Sequence, residues 1–194
     1  MMATASHEQE ENYSKTLFGF WVYLLSDLVL FGALFATYAV LRKATYGGPS
    51  AADLFNPSYA LIQTLILLTA SFTSGLGKVF THRGMKKATL IFYSLTFLLG
   101  AAFMTMGYTE WNDLVSQGNS WKKSAFLSAF FTLIGTHSLH IICALLWSLL
   151  LLIPVCKNEL TPVSVRRLSC LTMFWQFLNV VWIFIFSIVY LLRN

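Results

Sequence analysis

Charge is what this chain has least of. Only 11% of its 194 residues are Asp, Glu, Lys or Arg, where a soluble domain carries about a quarter. Its three cysteines, Cys143, Cys156 and Cys170, are unclustered and lie in or beside apolar segments. They offer neither a disulfide framework nor a C-x-x-C metal or redox pair, and read as small packing residues. There is no Walker-type glycine loop, no G-x-S-x-G and no H-E-x-x-H, which removes the motif-based cases for nucleotide binding, serine hydrolysis and zinc proteolysis. No internal repeat and no low-complexity segment is present. The net charge of +5 is spread through short loops. That pattern fits anchoring at a membrane face, not a nucleic-acid surface.

What fills the chain is apolar. Hydrophobic residues make up 57%, and the mean hydropathy is +0.66. Residues 58–77, 88–109, 124–156 and 168–192 hold no charged side chain if His is neutral, and 17–41 hold one, Asp27. Roughly 20 apolar residues suffice for a helix to cross the hydrocarbon core. The expected fold is therefore an all-α integral membrane bundle of five transmembrane helices at about 17–41, 58–80, 88–109, 124–153 and 168–192. A polar tail at 1–16 precedes a single membrane domain over 17–194. Acidic residues Glu8, Glu10 and Glu11 and the long apolar run that follows argue against a cleavable signal peptide. Asn56-Pro57 marks a helix start, and Gly47-Gly48-Pro49 a turn.

The loops orient the bundle. Lys15, Lys78, Arg83, Lys86, Lys87, Lys157, Arg166 and Arg167 fall on one side, against Arg42, Lys43, Lys122, Lys123 and Arg193 on the other. The positive-inside rule then places the N-terminus in the cytoplasm and the C-terminus in the periplasm. Trp21, Tyr59, Tyr108, Trp111, Trp121 and Tyr190 sit near span ends, where amphipathic rings favour the interface.

Polar groups inside the spans are the candidate site. A carboxylate at a helix centre costs about 2.5–3.5 kcal/mol on insertion scales, so Asp27 is protonated, paired or both. The midpoints of three spans bring Asp27, the pair His137 and His140, and the pair Gln176 and Asn179 to a similar depth, with Tyr23 one turn before Asp27. We expect Asp27 to hydrogen-bond to a His or amide of another span. Three readings stand open: hydrogen-bonded packing, proton exchange, and metal or haem ligation. Packing carries the most weight, because intramembrane polar pairs often only clamp helices together. Small residues support it, at Ser71/Gly75 and Thr73/Gly77 in the second span. A row from Ser128 through Thr132, Thr136, His140 and Ala144 to Ser148 adds to it in the fourth. These rows are expected inside the bundle, with Phe31 and Phe35 on its outer surface. Haem ligation carries least, since a bis-His haem needs ligands on opposing helices and His lies within only one span.

The segments FGFWVYLLSDLVLFGALFATYAVL (18–41), GGPSAADLF (47–55), YTEWNDL (108–114), SAFLSAFFTLIGTHSLHIICALLW (124–147) and FWQFLNVVWIFIFSIVYLL (174–192) together carry a resemblance. The chain resembles subunit III of the haem-copper respiratory oxidases, most closely the cytochrome o ubiquinol oxidase type. The resemblance implies a non-catalytic subunit of a proton-pumping quinol oxidase that reduces oxygen to water in a bacterial inner membrane. It implies no cofactor in this chain, haem and copper in a partner subunit I, bound phospholipid, and support of assembly, lipid retention and proton uptake. It maps the family's intramembrane carboxylate onto Asp27, its outer-end Glu onto Glu110 and its paired His onto His137 and His140. Two departures stand out. Where relatives read W-H-F-x-D-V-V-W, this chain has Gln176 and Asn179, which hydrogen-bond but do not titrate. Ser138 replaces the Gly usual between the two His. The alternatives are a small proton-coupled transporter using Asp27 and His137/His140, or a subunit III-like partner of a nitric oxide reductase. Against the transporter stand the lack of an inverted repeat and of Gly/Pro-broken helices at the midplane.

Overall fold

The computed structural model describes residues 2–49, 51–54, 56–157 and 160–192, with side chains from residue 11 onward except at 52 and 53. Its helices are α1 (Met2–Leu41), a single turn α2 (Ala51–Leu54), α3 (Pro57–His82), α4 (Lys86–Ser116), α5 (Ala125–Lys157) and α6 (Pro162–Ile185). The last continues as π-helical turns over Phe186–Leu191. Five of these are long and apolar enough to cross a membrane, and no strand occurs among the described residues. Arg193, one of the five basic residues counted for the outer side, lies outside the described residues.

Local chemistry sets the ends. Asn56 caps α3 by accepting from the Ser58 N–H at 3.0 Å, with Pro57 in the first turn where no donor is needed. Thr161 does the same for α6, accepting from Ser164 N–H at 3.2 Å ahead of Pro162. α3 and α4 are joined through Gly84 at φ +70°, and α4 stops before Gly118 at φ +76°, a region that favours glycine. Helices overrun the expected spans because hydrogen bonding, not the bilayer edge, ends them. Thus α4 keeps Glu110 and Asp113 within its last turns. Likewise α1 begins at Met2: no Gly or Pro interrupts residues 2–18, and Glu11–Lys15 forms an i, i+4 pair at 2.7 Å.

The bundle is organised around α6, which packs on α1, α3 and α5, while α4 packs on α3 and α5. About half of the apolar stretch of α6 is buried, against 17% for α1, which lies along α5 and α6. Close approach is concentrated at two glycines. A Cβ on Gly77 would lie 2.9 Å from the Tyr93 ring, and one on Gly100 would lie 2.5 Å from Trp175.

Several expectations about faces are corrected here. Phe31 is buried, against the rings of His137, His140 and Phe177. It therefore belongs to the core and not to the outer surface; Phe35 is half-buried against Phe184. Ser71 and Gly75 are only half-buried, and a Cβ on Gly75 would meet nothing nearer than Gln176 Nε2 at 3.9 Å. The Thr73/Gly77 row is the buried one. In α5 an every-fourth row winds slowly around the axis, so Ser128 and Thr132 are exposed while Ala144 and Ser148 are buried. Tyr190, expected at the interface, is buried.

Candidate functional site

Polar side chains gather at two depths. In the middle of the bundle α1 presents Asp27 to α5. Asp27 Oδ2 lies 3.7 Å from His140 Nε2, and both side chains are largely covered. That spacing is ion-pair range and longer than a hydrogen bond; Oδ2 makes none among the described residues. The other ring nitrogen, His140 Nδ1, is 2.8 Å from the Thr136 carbonyl. A carbonyl only accepts, so Nδ1 carries the hydrogen, and a neutral ring turns its Nε2 lone pair toward Asp27. Tyr23 stands within interaction range of Asp27, although nearly half exposed.

His137 makes a different contact. It is fully buried, and Nε2–H donates to the Leu178 carbonyl of α6 at 3.2 Å. Its ring is enclosed by Phe31, Phe103 and Trp182. The i, i+3 pair therefore divides its work, with His137 binding α5 to α6 and His140 facing α1. Asn179 is buried beside this layer, with Oδ1 unpartnered among the described residues. Gln176 points outward, exposed in a groove of about 270 Å³ lined by Trp21, Leu24, Leu28 and Phe177.

Glu110 lies apart from these, toward the other end of α4. Its Oε1 accepts from the Tyr190 hydroxyl at 3.1 Å and its Oε2 from Gln63 Nε2 at 3.3 Å. Three helical elements thus meet on one carboxyl. Neighbouring bonds tighten this end: Tyr59 donates to the Met106 carbonyl at 3.0 Å, and Arg42 to the Leu192 carbonyl at 3.3 Å. A cation there complements the carbonyl end of the last helix.

The sequence reading missed Gln63, Tyr190 and a pair behind His137, in which Trp182 Nε1–H donates to Thr64 Oγ1 at 3.0 Å. Gln63 carried a usable signal, being the one amide in residues 58–77. Tyr190 did not, because the π-helical turns that place it by Glu110 leave no mark in residue spacing. Among the described residues no three His, Cys, Asp or Glu come together as a metal site. The two intramembrane His share one helix, and His137 spends Nε2 on a backbone carbonyl. These donors do not fit a haem held from both sides.

The cytochrome c oxidase subunit III family model matches residues 3–193. Among individual relatives, cytochrome bo(3) ubiquinol oxidase subunit 3 of Pseudomonas aeruginosa is 48% identical, over 91% of this chain and 85% of its own length. Cytochrome c oxidase subunit 3 of Bacillus sp. strain PS3 is 41% identical, over 90% of this chain and 84% of its own. Quinol oxidase subunit 3 of Bacillus subtilis is 39% identical, over 95% and 90%. With a match that spans all five long helices, this chain belongs to the cytochrome c oxidase subunit III family.

Proposed function

We propose that the chain is the subunit III of a terminal ubiquinol oxidase in a bacterial inner membrane, supporting the complex without a redox centre of its own. The observation that carries this is the near-full-length similarity to a subunit named for a ubiquinol oxidase, at 48% identity. In this reading the haem and copper that reduce oxygen belong to subunit I, against which this chain packs. The residues of this chain contribute a rigid bundle and, at its centre, a carboxyl that faces an imidazole of another helix at 3.7 Å.

One face is marked for the partner. The exposed hydroxyls of Thr37, Thr69, Thr105, Thr132 and Ser187 all donate to carbonyls of their own helices. The Gln176 amide makes no hydrogen bond among the described residues and is exposed. Lipid tails offer an amide nothing to bond with, whereas a helix of a neighbouring subunit does. We therefore assign the α1/α6 face around Gln176 to subunit I, with phospholipid along the remaining apolar surface.

The experiment is selective removal of this subunit from the purified oxidase. The account expects the initial rate of quinol-driven oxygen consumption to survive and the activity to decay faster over repeated turnover. Immediate and complete loss of haem-linked oxygen reduction would place a catalytic role here and contradict the reading.

A further inference from the structure

Behind the Glu110 carboxyl lies a cavity of about 20 Å³, walled by Phe103, Trp111, Phe131 and Trp182 and reached by Gln63, Glu110, Tyr190 and Ser138. On the measure in which one water needs roughly 10–15 Å³, this is room for a single molecule and no more. A cavity walled only by apolar groups stays dry, whereas one with polar groups aimed into it holds water. Here Gln63 is fully buried, and Nε2 is committed to Glu110 while Oε1 has no partner among the described residues. An acceptor left so in the interior keeps the cost of losing its water, a cost that a donor in the cavity would remove.

Ser138 supplies the second anchor. On the same helix Thr132, Thr136 and Ser148 each donate to the carbonyl four residues back. Ser138 makes no such bond, nor any other among the described residues, and its side chain lines the cavity. From Phe130 to Ser138 the lining residues of α5 are eight positions apart, about 12 Å along the axis.

We propose that Gln63, Ser138 and the Glu110 carboxyl hold one internal water, which donates to Gln63 Oε1 and hydrogen-bonds to the Ser138 hydroxyl. It makes the Glu110 layer a hydrated polar site in an otherwise aromatic wall.

The test is a single-particle map of the intact oxidase at a resolution that shows ordered water, with Ser138→Val and Ser138→Ala maps beside it. In the wild type we expect one peak about 3 Å from Gln63 Oε1. Ser138→Val, which fills the space, should abolish it, and Ser138→Ala should weaken or displace it. Ala removes the hydroxyl without adding bulk, so it tests the anchor even if Val impairs assembly. A wild-type map with ordered water elsewhere in the subunit and none here overturns the proposal, as does a peak unchanged in the Ala variant.

Discussion

At the scale of single residues, the Asp27/His140 pair defines what a substitution should do. Asp27→Asn keeps size and hydrogen-bonding capacity but removes the ionisable carboxyl that faces His140 Nε2. We expect the subunit to assemble, while quinol-driven proton uptake or resistance to turnover-dependent decay falls. His140→Gln should do the same, and the double variant should be no worse than either single one, since both break one shared site. Additive losses, measured as oxygen consumption over many turnovers, would show that the two groups act separately. The packing glycines give a second prediction. Gly100→Ala forces Trp175 aside and should cost about 1–3 kcal/mol as an overpacked core, lowering the thermal unfolding temperature of the purified complex. Gly75→Ala, whose Cβ would meet Gln176 Nε2 only at an ordinary contact distance of 3.9 Å, should leave that temperature nearly unchanged.

Among the elements, α6 is the post on which the others lean and α1 a peripheral helix clasped at the midplane. Phe31 is where that clasp is packed, since it touches both His rings and Phe177. Phe31→Ala should therefore cost about 3–5 kcal/mol, in the range of a large buried aromatic. It should loosen α1 from the bundle, seen as faster proteolysis within residues 11–41. Phe35→Ala, at a half-buried ring, should be milder. Equal protease sensitivity of the two variants would contradict the assignment of Phe31 to the core. Reading elements from sequence worked where one physical cause dominated. Apolar length found all five long helices, and Asn56-Pro57 found the start of α3, because membrane insertion and capping are local. Which residues face inward was poorly legible. In a lipid solvent the outside of the bundle is as apolar as the inside, so Phe31 and Phe35 carry the same signal. A four-residue ridge that winds around its helix hides the point at which Thr132 turns outward and Ala144 inward.

For the whole molecule, the eight-to-five distribution of basic residues sets an orientation that labelling can check. With the three native cysteines replaced, Met85→Cys in the α3/α4 turn should resist an impermeant thiol reagent in intact cells. Tyr46→Cys, after α1, should react. The reverse pattern would invert the bundle. The candidate site was partly legible at this scale. Charge cost in the membrane singled out Asp27, His137 and His140 without any coordinates. Gln63 and Tyr190 emerged only when three helices were brought onto Glu110. The central claim is that this chain serves a quinol oxidase whose metals lie in another subunit. It is tested most directly by purifying the tagged chain in mild detergent and recording what travels with it. The account predicts a haem-bearing complex that consumes oxygen when supplied with ubiquinol. A lone colourless protein would contradict it, and so would a complex that reduces oxygen only with cytochrome c.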